Sequence, residues 1–175
     1  MKSSILLNKK TVLFLFIITI LCILSMRFFD IPLKNDICEN GIISFELAKD
    51  LSVSKDIMDS WNERSKMSAS FSMGLDFLFL LVYSSFIGLL IFRILNKLRK
   101  GQFFYKLGKI LIYAIFLAAL FDVIENIALI KLLLGDHNQI WPSMAYYFAV
   151  IKFSIVLLCV IYLIIGWIGL LLRKA

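Results

Sequence analysis

Long apolar stretches and short polar ones alternate along the chain, and their lengths predict the architecture. Four stretches, roughly 11–29, 68–92, 108–134 and 144–172, are almost wholly apolar. A helix rising 1.5 Å per residue needs about 20 such residues to cross ~30 Å of hydrocarbon. Each stretch is therefore expected to be a transmembrane helix. The chain 1–175 then reads as a single all-α membrane domain, a four-transmembrane-helix bundle. The intervening segment, about 30–66, differs from the spans. In it Ile43, Leu47, Leu51, Ser54, Met58 and Trp61 recur every three or four residues, the period of one helix face. We expect an amphipathic helical segment on the outer face between the first two spans, broken near "LSVS". Ser54 would be an N-cap, with Asp56 and Asp59 in the first turns, where negative charge is favoured. The apolar face has two destinations, the membrane surface or the end of the bundle.

Charge placement orients the bundle. Lys2, Lys9 and Lys10 precede the first span, and Arg173 and Lys174 follow the last. "RILNKLRKGQFFYKLGK" joins the second and third spans and carries Arg93, Lys97, Arg99, Lys100, Lys106 and Lys109. Residues 30–66 instead hold eight acids against five Lys and Arg. Positive residues stay on the cytoplasmic side, so both termini and the middle hairpin are expected inside, and 30–66 and "GDHNQIWPS" outside. The net charge of +7 is thus a topology signal, and it excludes a nucleic-acid partner as the reason for the basic residues. Trp61, Trp141, Tyr146 and Tyr147 fall at the expected outer boundary, and Phe103, Phe104, Tyr105 and Trp167 near the inner one, as in an aromatic belt. The first span lacks a small-x-small site before "RFFD", so it reads as an uncleaved signal anchor.

Composition removes other classes. At 61% hydrophobic residues and a mean hydropathy of +0.91, the chain leaves little for a separate soluble domain. Cys22, Cys38 and Cys159 form no CxxC pair, which argues against a disulfide framework, a metal site or a thiol oxidoreductase. Cys22 and Cys159 read as small packing residues, Cys38 as an outward-facing free thiol. The one histidine, His137, sits in a loop without ligand partners and reads as a surface residue. No motif specifies a cofactor, and no metal is expected.

The chemistry lies inside the spans. Ionisable groups there are rare, face the protein interior and mark functional sites. Asp76 falls in the second span, Asp122 and Glu125 in the third, and Lys152 in the fourth. Counted from the outer ends, they lie ~12–18 Å deep, so three helices bring them to one layer. Asp122, Glu125 and Asn126 share a helix face; Ser72, Asp76 and Tyr83 form a polar stripe on the second span. Ala118, Ala119, Ala145 and Ala149 lie beside the polar positions and permit close helix approach. Three carboxyls against one ammonium call for a proton on an acid, or for a cation or ligand ammonium. Glu46, in "ISFELAKD", joins the site if its helix caps the bundle. The candidate ligand-binding residues are therefore Asp76, Asp122, Glu125, Asn126, Lys152, Tyr83 and Glu46.

The chain also resembles an uncharacterised family of small bacterial four-span inner-membrane proteins. The pieces that carry the resemblance are "ISFELA", Trp61, "LDFLFLLVY", "FDVIENIAL", "WP" and "KF", spread from residue 42 onward. It implies the same fold and a place in the bacterial cytoplasmic membrane, and it picks out Glu46, Asp76, Asp122, Glu125, Asn126 and Lys152. It implies no activity.

Three functions fit these residues. The first is binding of a small amphipathic ligand, a membrane lipid or a cation at a buried acidic site near the outer face. The second is an intramembrane hydrolase or lipid-modifying enzyme, with Asp76 and Asp122 as general acid and base. The third is a structural or assembly subunit, alone or in an oligomer, whose buried charges only hold helices together. The motifs of lipoprotein signal peptidase around its aspartates are absent.

Overall fold

A computed structural model describes residues 8–172; Lys2, Arg173 and Lys174 lie outside them. Six α-helices follow one another: α1 Lys9–Asp30, α2 Ile42–Glu46, α3 Leu51–Ser60, α4 Glu63–Leu95, α5 Phe103–Leu133 and α6 Ile140–Leu172, with a 3₁₀ turn at Ile31–Leu33. No strand occurs among the described residues. The helices α1, α4, α5 and α6 are long and apolar enough to cross a membrane, so this is a multi-pass membrane protein. At 33 residues each, α4 and α6 are ~50 Å long, more than the hydrocarbon thickness. Their first turns extend beyond the expected spans. In α4 these turns carry exposed Glu63 and Arg64, and Asn62 caps the helix by accepting from Ser65 N–H at 2.9 Å.

The order of packing positions the site. Helix α5 lies between α4 and α6, and α1 packs along α4 with no comparable contact to α6. The periphery falls to α1: only 11% of its most apolar window is buried, against 50% for α4. Two apolar layers fill the interior. One, at the cap end, joins Leu33, Cys38, Phe45, Ile57, Met58 and Trp61 to Ala69, Met73, Ala128, Leu129, Leu132 and Ala145 of the bundle. The other joins Leu80, Ile91, Ile94, Ile115, Cys159 and Tyr162. Close approach in the second layer needs glycine at position 108, where a Cβ would lie 2.8 Å from Leu95 Cδ2 and press on the Tyr162 ring.

The segment 30–66 covers the bundle. Trp61 Nε1–H donates to the Leu33 carbonyl at 3.0 Å, its ring meets Phe45 edge-on at 5.2 Å, and Ser65 Oγ–H donates to the Pro32 carbonyl at 2.7 Å. Asp30 Oδ1 accepts from Ile42 N–H at 2.8 Å. The intervening Gly41 has φ +60°, and a Cβ there would run into the Asp30 carboxylate.

The cap corrects several expectations. The helix break comes at Ala48–Asp50, ahead of "LSVS", and Ser54 is a fully buried residue inside α3 rather than an N-cap. The reason is a distant partner: Gln139 Oε1 accepts from Leu51 N–H at 2.8 Å, and its amide donates to the Lys49 carbonyl at 3.0 Å. Asp56 and Asp59 consequently lie beyond the first turn. Trp61 is a core residue, 3% exposed, instead of an interfacial one. The Cys38 thiol is free but fully buried, donating to the Gly41 carbonyl at 3.1 Å.

Trp61→Ala should therefore destabilise the fold by about 3–5 kcal/mol and open Cys38 to an aqueous maleimide. Labelling of native protein in detergent micelles before and after the substitution checks this; equal, slow labelling of both would contradict it.

Candidate functional site

Between the two apolar layers lies a charged one. Lys152 Nζ donates to Asp122 Oδ1 at 2.7 Å and to Glu125 Oε1 at 2.9 Å, and it lies 2.8 Å from Glu125 Oε2. The second oxygen of Asp122 accepts from the Tyr83 hydroxyl at 3.1 Å. Asn126 Nδ2–H donates to Asp76 Oδ2 at 2.6 Å. Glu46 reaches down from α2, close enough to sense Lys152, Asp122 and Glu125. None of these groups is exposed by more than 9%, and Glu125 is fully buried. The seven residues expected at the site thus converge, as two neighbouring hydrogen-bonded groups with Glu46 close to both.

The helices supply this geometry by register. Asp122 and Asn126 are one turn apart on α5, and Ala118 lies a further turn back, fully buried. Ala145 and Ala149 precede Lys152 on the same α6 face, also fully buried, so the backbones approach and side chains meet across the gap. Taking an ion out of water loses several kcal/mol of solvation, regained only where partners are close and well directed. Lys152 meets that condition with two carboxylates. Among the described residues Asp76 has only a neutral amide, and Glu46 Oε2 is buried without a hydrogen-bond donor. The count also changes: with Glu46, four carboxyls surround one ammonium.

A cavity of about 520 Å³ runs from this layer, within the range of small-molecule sites. At the cap end it is lined by Arg27, Asp30, Ile42, Ile43 and Glu46; its polar wall is Ser72, Asp76, Tyr83, Asp122 and Lys152. Beyond these and Thr19 it is apolar, ending at Leu90, Val160 and Leu163. From Ser72 to Leu90 along α4 it is ~27 Å long. Ile23 of α1 and Phe153 and Val160 of α6 line it and are themselves exposed, so its long side opens between α1 and α6.

The α1 wall was not anticipated from sequence. Thr19, Ile23, Met26 and Arg27 line the cavity at helical spacings of four, three and one. Thr19 and Arg27 are two of the few polar residues in an otherwise apolar span, and eight residues put them on one face. That was the available signal. His137 is exposed in its loop, and among the described residues no group of three or more His, Cys, Asp and Glu is arranged to hold a metal. Compared with known proteins, the chain matches no family model, no curated protein and no solved structure.

Burial raises the Glu46 carboxyl above its ordinary pKa; Lys152 opposes the rise, Asp122 adds to it, a hydrogen bond with Glu125 opposes it and Asp30 adds to it. An acid with a raised folded-state pKa binds more protons folded than unfolded. Its stabilising contribution is full below about pH 4.5 and is lost as pH rises toward the raised value. Glu46→Gln removes that titration, so melting temperatures in detergent micelles between about pH 5 and 8 should fall less steeply with pH than in the unsubstituted protein. Equal slopes would show that Glu46 does not titrate against a buried site.

Proposed function

We propose that this is a protein of the bacterial cytoplasmic membrane, with both termini cytoplasmic, that binds a small amphipathic molecule drawn laterally from the bilayer. The cavity carries the reading. It has a charged end and a long apolar trough, and its open side faces what would be lipid between α1 and α6. Amphiphiles partition into the bilayer, so a lateral opening gives them access without passage through water. Ligand sites of this size are mostly apolar, with a few convergent polar groups that fix orientation, which is the distribution here.

The other two readings are less well supported. Asp122 is committed to Lys152 and Tyr83, which leaves it poorly placed to exchange protons with a substrate opposite Asp76. A general acid/base pair needs both members free to do so. A purely structural role accounts for Lys152, Asp122 and Glu125, which pair within the chain, but gives no part to Asp76 and Glu46, which line the cavity.

Filling the trough tests the proposal. Ile87→Trp or Val156→Trp should leave helix content intact and remove an amphiphile that native mass spectrometry detects on protein purified in mild detergent. A mass spectrum showing the unsubstituted protein bare, or the filled variants carrying the same adduct, would contradict it.

A further inference from the structure

We propose that the amphiphile is cationic: an alkylammonium whose head docks between Asp76 and Glu46 and whose hydrocarbon lies along α4 toward Leu90. This rests on the reading that the cavity holds an amphiphile, and adds the chemistry of its head.

The charge balance comes first. The ammonium of Lys152 is occupied by Asp122 and Glu125. Asp76 and Glu46 line the cavity, yet no Lys, Arg or His lies within ion-pair distance of either among the described residues. Glu46 is nine-tenths buried, and its Oε2 has no donor. Asp76, 7% exposed, receives a single hydrogen bond among the described residues, from Asn126. A buried carboxylate without a cation is among the least favourable arrangements in a protein. A ligand ammonium supplies both the charge and the missing donors.

Aromatic rings form the second, independent feature. Phe79, Tyr83, Phe86 and Phe153 line the same cavity. The Phe79 and Tyr83 rings lie 5.2 Å apart and tilted by 52°, and Phe153 already sits 4.9 Å from Lys152 Nζ. Ring faces attract ammonium groups, and clustered rings are how proteins recognise substituted ones. An anionic head fares worse. Lys152 would have to leave two carboxylates to meet it, and Arg27 stands at the cap end, exposed to solvent. Below the acids the walls are Ile87, Leu90, Val156, Val160 and Leu163. From Tyr83 to Leu90 they extend ~10 Å, an apolar end for the ligand's alkyl chain.

Three probes with one tail separate the possibilities: dodecylamine, dodecanol and dodecanoate, each radiolabelled, added to the full chain in maltoside micelles at about pH 7, where an alkylamine is protonated. Dodecylamine should bind saturably, one per chain, at least tenfold more tightly than either other probe. Asp76→Asn should weaken dodecylamine by about 10- to 100-fold, the effect of losing a charge-assisted hydrogen bond, and leave dodecanol unchanged. Glu46→Gln, on the cap, should weaken dodecylamine selectively as well and serves if Asp76→Asn fails to fold. Equal binding of the three probes, preference for dodecanoate, or indifference of dodecylamine to both substitutions would overturn the cationic head while leaving an amphiphile site standing. No saturable binding of any probe would overturn the site itself.

Discussion

An ammonium ion buried in a membrane bundle has to find its counter-charges within a few ångströms. Lys152 finds Asp122 and Glu125, and that encounter fixes much of what surrounds it. It holds α6 against α5 at one register. Tyr83, by donating to Asp122, brings α4 into the same layer, and Asn126 fixes Asp76 beside it. Removing one partner of such a group leaves an uncompensated charge, which is why buried pairs, weak as a source of net stability, strongly constrain geometry. Apolar layers lie above and below, and a low local dielectric strengthens each electrostatic contact.

The same constraint explains the cap. A layer of excess carboxyls near one end of a bundle would be open to water if nothing covered it. Phe45, Trp61 and Leu33 close that end, each almost fully buried, and Glu46 is carried down with them. Because α1 packs along α4 and makes no comparable contact with α6, closure is incomplete on one side. That gap is where the trough runs. Helix α1 is thus less a part of the core than a peripheral wall, anchored at the cap by Asp30, whose carboxylate holds the start of α2.

The sequence made the spans legible because about 20 apolar residues per crossing leave a signal that no tertiary contact can erase. Asp122, Glu125 and Asn126 were legible for a related reason: polar residues at helical spacing within such a run must face inward. Their convergence with Asp76 and Lys152 followed from depth, since the rise per residue of a helix is fixed. The cap was harder to read. Its break depends on Gln139, 88 residues from Leu51, and on a positive φ at Lys49; neither leaves a local signature. Trp61 misled because an aromatic at a span boundary has the same sequence pattern whether it faces headgroups or a capping helix. The cavity was invisible, since an absence of side-chain atoms between α1 and α6 is set by packing and not by any residue type.

The most direct measurement is of the Lys152 ammonium itself. Dipolar recoupling by solid-state NMR, on protein in lipid bilayers with ¹⁵N lysine and ¹³C-labelled Asp and Glu carboxyls, reports which carboxyls lie against it, with Lys152→Met assigning the signal. Contact with one aspartate and one glutamate carboxyl, each with an oxygen within about 4 Å of the nitrogen, is the expected result. A Lys152 nitrogen that couples to no carboxyl would contradict the charged layer, and with it the register of the helices and the site they build.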